Sequence, residues 1–456
     1  MKRLLTLIIF SLPAILHGQS VAGDWRGDLN VGNGMKLPLV LHILASGDSL
    51  TTTMDSPAQG ANGLPANKTS FVNNELQIEL KNIHAVYKGT LAGDSISGTF
   101  TQMGNSLPLV FKKGTIKAAI RPQTPKPPFG YAIEEVRFKN PTENNELAGT
   151  LTTPHDKKQF PVVVLITGSG AQDRDETLFE HKPFWVIADY FAKNGIGVLR
   201  LDDRGMGGSS KGKDNATSAD FATDISAAVN YLAQRGYRNI GLAGHSEGGM
   251  IAPIVAAQNK NVQFIISMAG PGIAIDQLMV LQSEALLRSG GMTAEKVQEN
   301  GKDAAALYQF VNQYSGNNFD ADLRNYLTEH ANRATASAKQ EIDLQVKLLS
   351  SPWFRYFLKF DPTTFITQLK IPVLAINGGK DVQVTPKENL AGWKASLQKA
   401  GNKNFEIKEL PGLNHLFQEA KTGSPSEYAA IEQTIQPQVL ELMAGWILKN
   451  NSSRNK

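Results

Sequence analysis

The chain of 456 residues contains no cysteine. Disulfide bonds, thiol catalysis, thiolate metal ligands and a lipid anchor attached through cysteine are therefore all excluded. The formal net charge is also small, at +4. A balance so close to neutral argues against nucleic acid or an anionic surface as a partner. At this length we expect two or three domains, each stabilised by a packed core.

The apolar run near the start is short. It extends from Leu4 to Leu16, follows Lys2 and Arg3, and falls below the roughly 20 residues that a membrane-spanning helix needs. Small or polar residues follow it, which is typical of a secretory signal peptide, here residues 1–18, cleaved after Gly18. Its removal would lower the net charge to +2. We therefore predict a periplasmic or secreted protein without a stable membrane anchor, and a retained anchor is the alternative.

Residues 19–117 have the pattern of a β-rich accessory domain. Short apolar or alternating runs are separated by turn signals such as Ser46-Gly47-Asp48. The predicted strands are 37–44, 75–80, 85–91, 95–100 and 107–111. Strands of this length and spacing indicate a small antiparallel barrel or sandwich. We expect His42 to be a hydrogen-bonded structural residue rather than a metal ligand, because no metal-site spacing surrounds it.

Residues 118–130 contain the proline-rich segment RPQTPKPP, which is predicted to be a spacer between domains. Strands and helices then alternate over residues 131–456. The predicted strands are 133–138, 146–152, 161–166, 196–201, 239–243, 263–268, 371–376 and 405–410. This succession predicts an α/β fold with a mostly parallel sheet covered by helices on both faces.

The alternation is interrupted between about residues 271 and 360, where only helical patterns occur. They cover 276–288, 294–312 and 323–349, and further helices are predicted at 386–399 and about 426–449. A helical insertion between strands lies at the carboxyl end of a sheet, where ligands bind. We predict that this insertion is a lid.

Gly244-His245-Ser246-Glu247-Gly248 has the pattern Gly-x-Ser-x-Gly. On its own the pattern is weak, because glycine-rich loops produce it by chance. Here a buried strand precedes it and a helix follows, and this order presents a serine nucleophile on a strained turn. Ser246 is therefore the predicted nucleophile.

A serine hydroxyl needs a base to accept its proton and a carboxylate to orient that base. Among the eight histidines, only His415 follows a late strand on a loop at the carboxyl edge of the sheet. Asp381 follows the preceding strand in the same sense, which gives the chain order Ser, Asp, His. A helix cap before Pro386 is the alternative role for Asp381. Asp361 is the second candidate for the acid, although it is better placed to end the lid.

Two backbone amides must stabilise the oxyanion of an acyl-transfer reaction. The amide of Glu247 is one candidate, and the loop GSGAQDRD after the strand 161–166 supplies the other, at Ser169 or Gly170. The charged residues that follow, 173–175, are expected to brace this loop. The segment 207–213 approaches a phosphate-binding loop, but Asp214 stands where a Ser or Thr is needed. Residues 202–204 are expected to form a turn held by local ion pairs.

These motifs together resemble the α/β-hydrolases. The segments that carry the resemblance are GSGAQDRDET (168–177), RLDDRGMGGS (200–209) and GHSEGG (244–249), with the late Asp381 and His415. Within that superfamily they are similar to exported bacterial carboxylesterases and serine aminopeptidase-like hydrolases. The resemblance covers about residues 131–450 and implies a Ser246–His415–Asp381 triad that hydrolyses short-chain esters without a cofactor or metal. Thr167 replaces the usual histidine before Gly168.

Three functions stay open at this point. The first is a serine esterase that acts on a small-molecule ester through an acyl-enzyme. The second is a serine peptidase that trims short peptides with the same triad. The third is a surface- or glycan-binding protein that acts through its β-rich domain. The natural substrate and the oligomeric state do not follow from these motifs.

Overall fold

The computed structural model describes residues 20–32, 35–47, 49–56, 61–102, 105–114, 120–155, 159–330 and 336–452. The chain divides into two compact units, one formed before residue 118 and one from residue 118 onward. The predicted signal peptide lies outside the described residues. No helix in the described ranges is long and apolar enough to cross a membrane.

The first unit is a nine-stranded curled sheet. Its strands are β1 (Gly23–Gly32), β2 (Met35–Ser46), β3 (Ser49–Ser56), β4 (Ala61–Pro65), β5 (Lys68–Val72), β6 (Glu75–Leu80), β7 (Ala85–Ala92), β8 (Ser95–Gln102) and β9 (Asn105–Lys113), in the spatial order β4-β3-β2-β1-β9-β8-β7-β6-β5. The strand pairs are antiparallel. Alternate side chains, among them Trp25, Tyr87 and Phe111, fill its core. The predicted antiparallel β architecture is confirmed.

His42 in β2 lies between two carboxylates from the neighbouring strands. Its Nδ1 is 2.7 Å from Asp24 Oδ1 in β1, and its Nε2 is 2.9 Å from Asp55 Oδ2 in β3. The carboxylates occupy opposite sides of the ring, and across the described ranges no cluster of His, Asp and Glu has the arrangement of a metal site. His42 is the hydrogen-bonded structural residue that we expected.

The second unit is built on an eight-stranded sheet. Its strands are β10 (Tyr131–Lys139), β11 (Glu146–Pro154), β12 (Val162–Ile166), β13 (Gly197–Leu201), β14 (Ile240–His245), β15 (Val262–Met268), β16 (Val373–Gly378) and β17 (Phe405–Leu410). The spatial order is β10-β11-β13-β12-β14-β15-β16-β17. The pairs β10–β11 and β11–β13 are antiparallel, and every later pair is parallel. The predicted α/β fold class is therefore confirmed.

The second unit contains helices that cover both faces of its sheet and helices that form an insertion. They are α1 (Pro183–Lys193), α2 (Ser218–Gln234), α3 (Glu247–Gln258), α4 (Ile275–Ser289), α5 (Ala294–Gln313), α6 (Phe319–His330), α7 (Ala336–Leu349), α8 (Pro352–Leu358), α9 (Thr363–Ile366), α10 (Pro386–Lys399) and α11 (Pro437–Ser452). The central strand β12 is buried throughout, and its side chains alternate between two cores. Val164 packs with α2 and α3 on one face, and Val163 packs with α1 and α11 on the other.

The helical insertion consists of α4 to α8 and lies between β15 and β16, as predicted. It has a small apolar core of its own, which includes Val311, Leu323 and Leu358. The long helix predicted over 323–349 includes residues 331–335, which lie outside the described residues; α6 and α7 cover the described residues on either side of them.

The last helix begins about eleven residues later than its sequence pattern predicted. Residues 428–436 are amphipathic, but their polar groups make tertiary contacts instead of helical ones. The amides of Thr434 and Ile435 donate to the side chain of Gln123, and the carbonyl of Tyr428 accepts from His181. These contacts outweigh the helical propensity, which is a weak preference, and Pro437 then starts α11.

The proline-rich segment was predicted to be a spacer, but it belongs to the second unit. The Arg121 guanidinium donates to the carbonyls of Phe179, Ala429 and Ile431. Prolines prevent the segment from forming a ladder or helix of its own. Its side chains instead anchor the loop that precedes α11.

Candidate active site

Ser246 occupies a sharp turn between β14 and α3. Its φ is +53° and its ψ is −118°, a region that side-chain-bearing residues rarely adopt. The turn is held at both ends, because the Ser246 amide donates to the Met268 carbonyl at 2.9 Å and its carbonyl accepts from the Gly249 amide at 2.9 Å. The strained strand-turn-helix geometry predicted for the nucleophile is present.

The glycines around Ser246 are required by close backbone approaches. A Cβ on Gly244 would lie 2.0 Å from the Gly248 carbonyl oxygen. A Cβ on Gly248 would lie 2.2 Å from the carbonyl oxygen of Ile166, at the end of β12. Both obstacles are backbone atoms, which cannot rotate away. The helix α3 can therefore approach β12 closely only because Gly248 has no side chain.

We expect Gly248→Ala to displace α3 from β12 and to misplace Ser246. The free energy of unfolding should fall by about 1–3 kcal/mol, as for an overpacked core. If Ser246 is the predicted nucleophile, its displacement should lower kcat about 100-fold. Chemical denaturation and ester kinetics measure the two effects. Gly445→Ala is the matched control: it lies on α11 in open space, and it should change stability by no more than about 1 kcal/mol. Equal behaviour of the two variants would contradict this explanation of the turn.

His415 and Asp381 are in contact. His415 Nδ1 lies 2.7 Å from Asp381 Oδ2, and both side chains are buried. Asp381 also acts as a local cap, because its Oδ1 accepts from the amides of Gln383 and Val384. The two roles use different oxygens. Asp361, the second candidate for the acid, is exposed and caps Thr363 instead.

Ser246 and His415 line the same cavity, which has a volume of about 380 Å³. The parallel strands β12, β14, β16 and β17 all end at this edge of the sheet, which brings their loops together. The insertion covers the cavity with side chains from α4 and α8: Leu278, Met279, Gln282, Trp353, Phe354 and Phe357. The insertion is thus placed as a lid over the predicted site.

His181 lines this cavity as well, and it is the other histidine that could act as a base. Its Nδ1 is 2.9 Å from Thr434 Oγ1, and its Nε2 lies 3.3 Å from the Tyr428 carbonyl and 3.1 Å from Gln418 Nε2. Burial lowers the pKa of His181 to about 4. With both ring nitrogens occupied and no carboxylate beside them, His181 is a structural residue.

The predicted oxyanion donors are divided between two cavities. The amide of Glu247 is the first of α3, and the first amides of a helix have no carbonyl partner within it. Ser169 lines the cavity of about 380 Å³ together with Glu247 and Ser246. Gly170 lines a second cavity of about 360 Å³, which shares Gly168 and Trp353 with the first. Of the two candidates for the second donor, Ser169 is the one that lines the cavity of Ser246.

The side chain of Glu247 links α8 of the lid to α2. Its Oε1 accepts from Ser218 Oγ at 2.6 Å and from Trp353 Nε1 in α8 at 3.0 Å. Burial raises the pKa of Glu247, and hydrogen bonds from Ser218, Trp353 and Ser169 reverse only part of that shift. The carboxylate is thus committed to the lid contact.

The sequence predicted that local ion pairs hold the turn at residues 202–204. This prediction is wrong, because the ion-pair partners of these residues are distant in sequence. Asp202 pairs with Arg174 at 2.7 Å, and Arg204 pairs with Glu143 and Asp224 at 2.8 Å each. These partners lie far away in sequence, so neighbouring positions could not identify them. Arg174 braces the oxyanion loop, as expected.

Asp203 lines the second cavity. Removal from water raises the pKa of its carboxyl to about 7, and hydrogen bonds from Gln172 and Thr167 reverse only part of that shift. Its two oxygens accept from the Thr167 hydroxyl and the Gln172 amide. Asp203 therefore fixes both ends of the turn that follows β12.

Sequence reasoning missed the contact between His245 and Glu176. His245 Nδ1 lies 3.0 Å from Glu176 Oε1, beneath the nucleophile turn. Neither residue is among the site candidates that the sequence motifs predict. The available signal was a histidine next to the nucleophile and an acidic residue in the loop after β12.

The strand order, the serine on its strand-turn-helix and the later Asp–His pair define a class of enzyme fold. A model of the alpha/beta hydrolase fold family matches residues 161–418, more than half of the chain. The chain belongs to this family. Esterase EstD of Thermotoga maritima is 28% identical over 309 residues, which cover 67% of this chain and 66% of the relative. The match therefore spans slightly less than two thirds of the relative's length.

Solved structures with a related fold are more distant. The Pyrococcus furiosus esterase Pf2001 is 16% identical, with 70% of this chain and 91% of that chain covered and a TM-score of 0.42. A proline iminopeptidase of Mycobacterium smegmatis is 14% identical, with 70% and 100% covered and a TM-score of 0.44. Similarities at this level do not bear on the reaction.

Proposed function

We propose that this protein is a serine hydrolase that cleaves short-chain carboxylic esters through an acyl-enzyme. The observation that carries the proposal is the placement of Ser246 and His415 on one cavity, with Asp381 hydrogen-bonded to the far side of the His415 ring. The similarity to a relative named as an esterase supports the same reaction class.

In the proposed reaction, His415 Nε2 takes the proton of Ser246 while Oγ attacks the ester carbonyl carbon. The Nδ1–H donates to Asp381, which fixes the tautomer and stabilises the imidazolium that forms. The amides of Glu247 and Ser169 stabilise the negative oxygen of the tetrahedral intermediate. His415 returns its proton to the leaving alcohol as the ester bond breaks. Water, activated by His415, then releases the acid and restores Ser246.

The carboxylates around the cavity favour an ester over a peptide with a free amino terminus. A peptidase of that kind needs a carboxylate free to bind the ammonium group. Glu176 and Glu247 are the acidic side chains that line the described part of the cavity. Glu247 is bound to Ser218 and Trp353, and Glu176 is bound to His245. Neither is available to an amine.

A substrate panel tests the proposal directly. We expect measurable turnover of p-nitrophenyl acetate and butyrate, with an initial burst of nitrophenol where acyl-enzyme breakdown is slow. Alanine and proline p-nitroanilides should not be turned over, because no acidic side chain among the described residues lining the site is free to bind their ammonium group. Faster cleavage of the anilides than of the esters would contradict the esterase function and support the peptidase function instead.

We further propose that the protein is exported. The order of Lys2, Arg3 and the apolar run up to Leu16 supports a signal peptide. Cell fractionation with amino-terminal sequencing should find the chain outside the cytoplasm, starting after Gly18.

A further inference from the structure

The loops that carry the proposed catalytic groups meet at one buried ring, that of His245. This residue precedes Ser246, and its ring packs 4.7 Å from the ring of His415. His245 Nδ1 lies 3.0 Å from Glu176 Oε1, and its Nε2 lies 3.0 Å from the carbonyl oxygen of His415. The side chains of His245 and Glu176 are each only 8% exposed. The ring therefore touches the nucleophile turn, the oxyanion loop and the histidine loop.

The partners of the ring determine its charge. A carbonyl oxygen can only accept, so Nε2 must carry a hydrogen. Nδ1 faces a carboxyl group, and an imidazole is intrinsically more basic than a carboxylate. The shared proton therefore belongs on Nδ1. His245 is an imidazolium paired with a Glu176 carboxylate, and both ring nitrogens donate.

Glu176 also binds the backbone of the oxyanion loop. Its Oε1 accepts from the amide of Gly168 at 2.7 Å. A Cβ on Gly168 would lie 3.3 Å from Ser246 Cβ and 3.6 Å from His245 Nδ1, which shows how closely the loop approaches the nucleophile. Glu176 itself has a φ of +53°, a conformation that persists only where surrounding contacts enforce it.

We propose that the His245–Glu176 ion pair is the element that positions Ser246, His415 and the oxyanion loop relative to one another. The role rests on the serine-hydrolase function proposed above. Neither residue touches the reacting atoms in this role, so both are positioning residues. The pair connects three loops that begin at the separate strands β12, β14 and β17. Its loss allows these loops to move independently.

The ion pair makes the site sensitive to alkaline pH. Burial, the largest single effect, lowers the pKa of His245, but the Glu176 carboxylate, the His415 carbonyl and the Asp381 charge together outweigh it, and the pKa lies above its usual value. A raised pKa means that the pair is intact at lower pH and is lost as the pH rises through that pKa. The groups facing His245 are Glu176, the carbonyl and the imidazole ring of His415, the neighbouring Asp381 charge and the Phe417 ring. Activity should therefore decline on the alkaline side when His245 loses its proton.

Glu176→Gln tests the role with little change of shape. The amide oxygen can still accept from Gly168, but the charge that keeps His245 protonated is lost. We expect kcat to fall about 10- to 100-fold with KM within about twofold, because misplaced groups affect the transition state more than binding. The alkaline limb of the kcat profile should move to lower pH. The double variant Glu176→Gln/His245→Gln should be no slower than the slower single variant, since the two residues act as a unit.

Glu143→Gln is the matched control. Glu143 is a buried carboxylate paired with Arg204, and its loss should affect stability without moving the pH profile or kcat per active site. Active sites are counted by fluorophosphonate titration, which corrects for any unfolded fraction.

An independent readout is the ¹⁵N spectrum of the histidine rings, with His245→Gln used for assignment. It should show both His245 nitrogens protonated at neutral pH in the wild type, and one deprotonated in Glu176→Gln.

A neutral His245 ring in the wild type would overturn the proposal, and so would a Glu176→Gln variant with unchanged kcat and pH profile. Failure of the proposed function is distinguishable from both results. In that case the wild type itself would neither hydrolyse esters nor react with the fluorophosphonate. The positioning role would then be refuted as well, even if the ¹⁵N spectrum showed that the ion pair is present.

Discussion

Ser246→Ala should abolish ester hydrolysis, with a fall in kcat of about a million-fold, as for other enzymes in which the nucleophile of a triad is removed. The reason is that alanine has no oxygen to form the acyl-enzyme. The fold should be unaffected, because the change removes one atom from a turn whose backbone is fixed by bonds to Met268 and Gly249. Steady-state kinetics with p-nitrophenyl butyrate measures the loss, and circular dichroism checks the fold.

Ser267→Ala is the control for this variant. Ser267 is a buried serine on the adjacent parallel strand β15, and its Oγ has no hydrogen-bond partner among the described residues. Its removal should leave kcat unchanged. Full activity in Ser246→Ala would show that the nucleophile lies elsewhere.

Asp381→Asn should lower kcat about ten-thousand-fold while KM changes little. The amides of Gln383 and Val384 hold one oxygen of residue 381 as an acceptor. The new amide nitrogen must therefore take the place of Oδ2 and face His415 Nδ1 as a donor. Nδ1 then has to accept, which puts the proton of the ring on Nε2. His415 can no longer take the proton of Ser246.

Asp361→Asn is the control for Asp381→Asn. It shows whether the loss of another acidic residue in the same part of the chain has the same effect on kcat. Asp361 is exposed and caps the short helix α9, so its variant should keep wild-type kinetics. Raising the pH should restore part of the activity of Asp381→Asn only if its defect is one of protonation. A loss of activity in Asp361→Asn equal to that in Asp381→Asn would contradict the assigned acid.

The central strands of the second unit could be predicted because a strand that is buried on both faces is a continuous apolar run in the sequence. The run Val162–Ile166 is buried on both faces and is apolar throughout. In the first unit, β3 has the sequence SLTTTMDS and β5 has KTSFV, and both face solvent on one side. In β3 the buried positions include Thr52 and Ser56, and in β5 the apolar Val72 is exposed, so the apolar alternation that reveals a strand is weak in both. Both strands were missed for that reason.

The candidate triad was recoverable from the sequence because it depends on chain order and strand ends. Ser246, Asp381 and His415 each follow a predicted strand, and parallel strands end at one edge of a sheet. The contacts that support the triad have no such signal. Glu176 reaches His245 from a loop 69 positions earlier, and Trp353 reaches Glu247 across 106 positions. Pairing over such distances is set by tertiary packing, which local patterns do not encode.

The most direct test of the central claim is to trap the acyl-enzyme. The protein is mixed with p-nitrophenyl butyrate, quenched in acid within the burst phase, digested and analysed by mass spectrometry. We expect one added butyryl group on the peptide that contains Ser246, with none on the same peptide of Ser246→Ala. Ester turnover with no adduct on Ser246, or with the butyryl group on another residue, would contradict it.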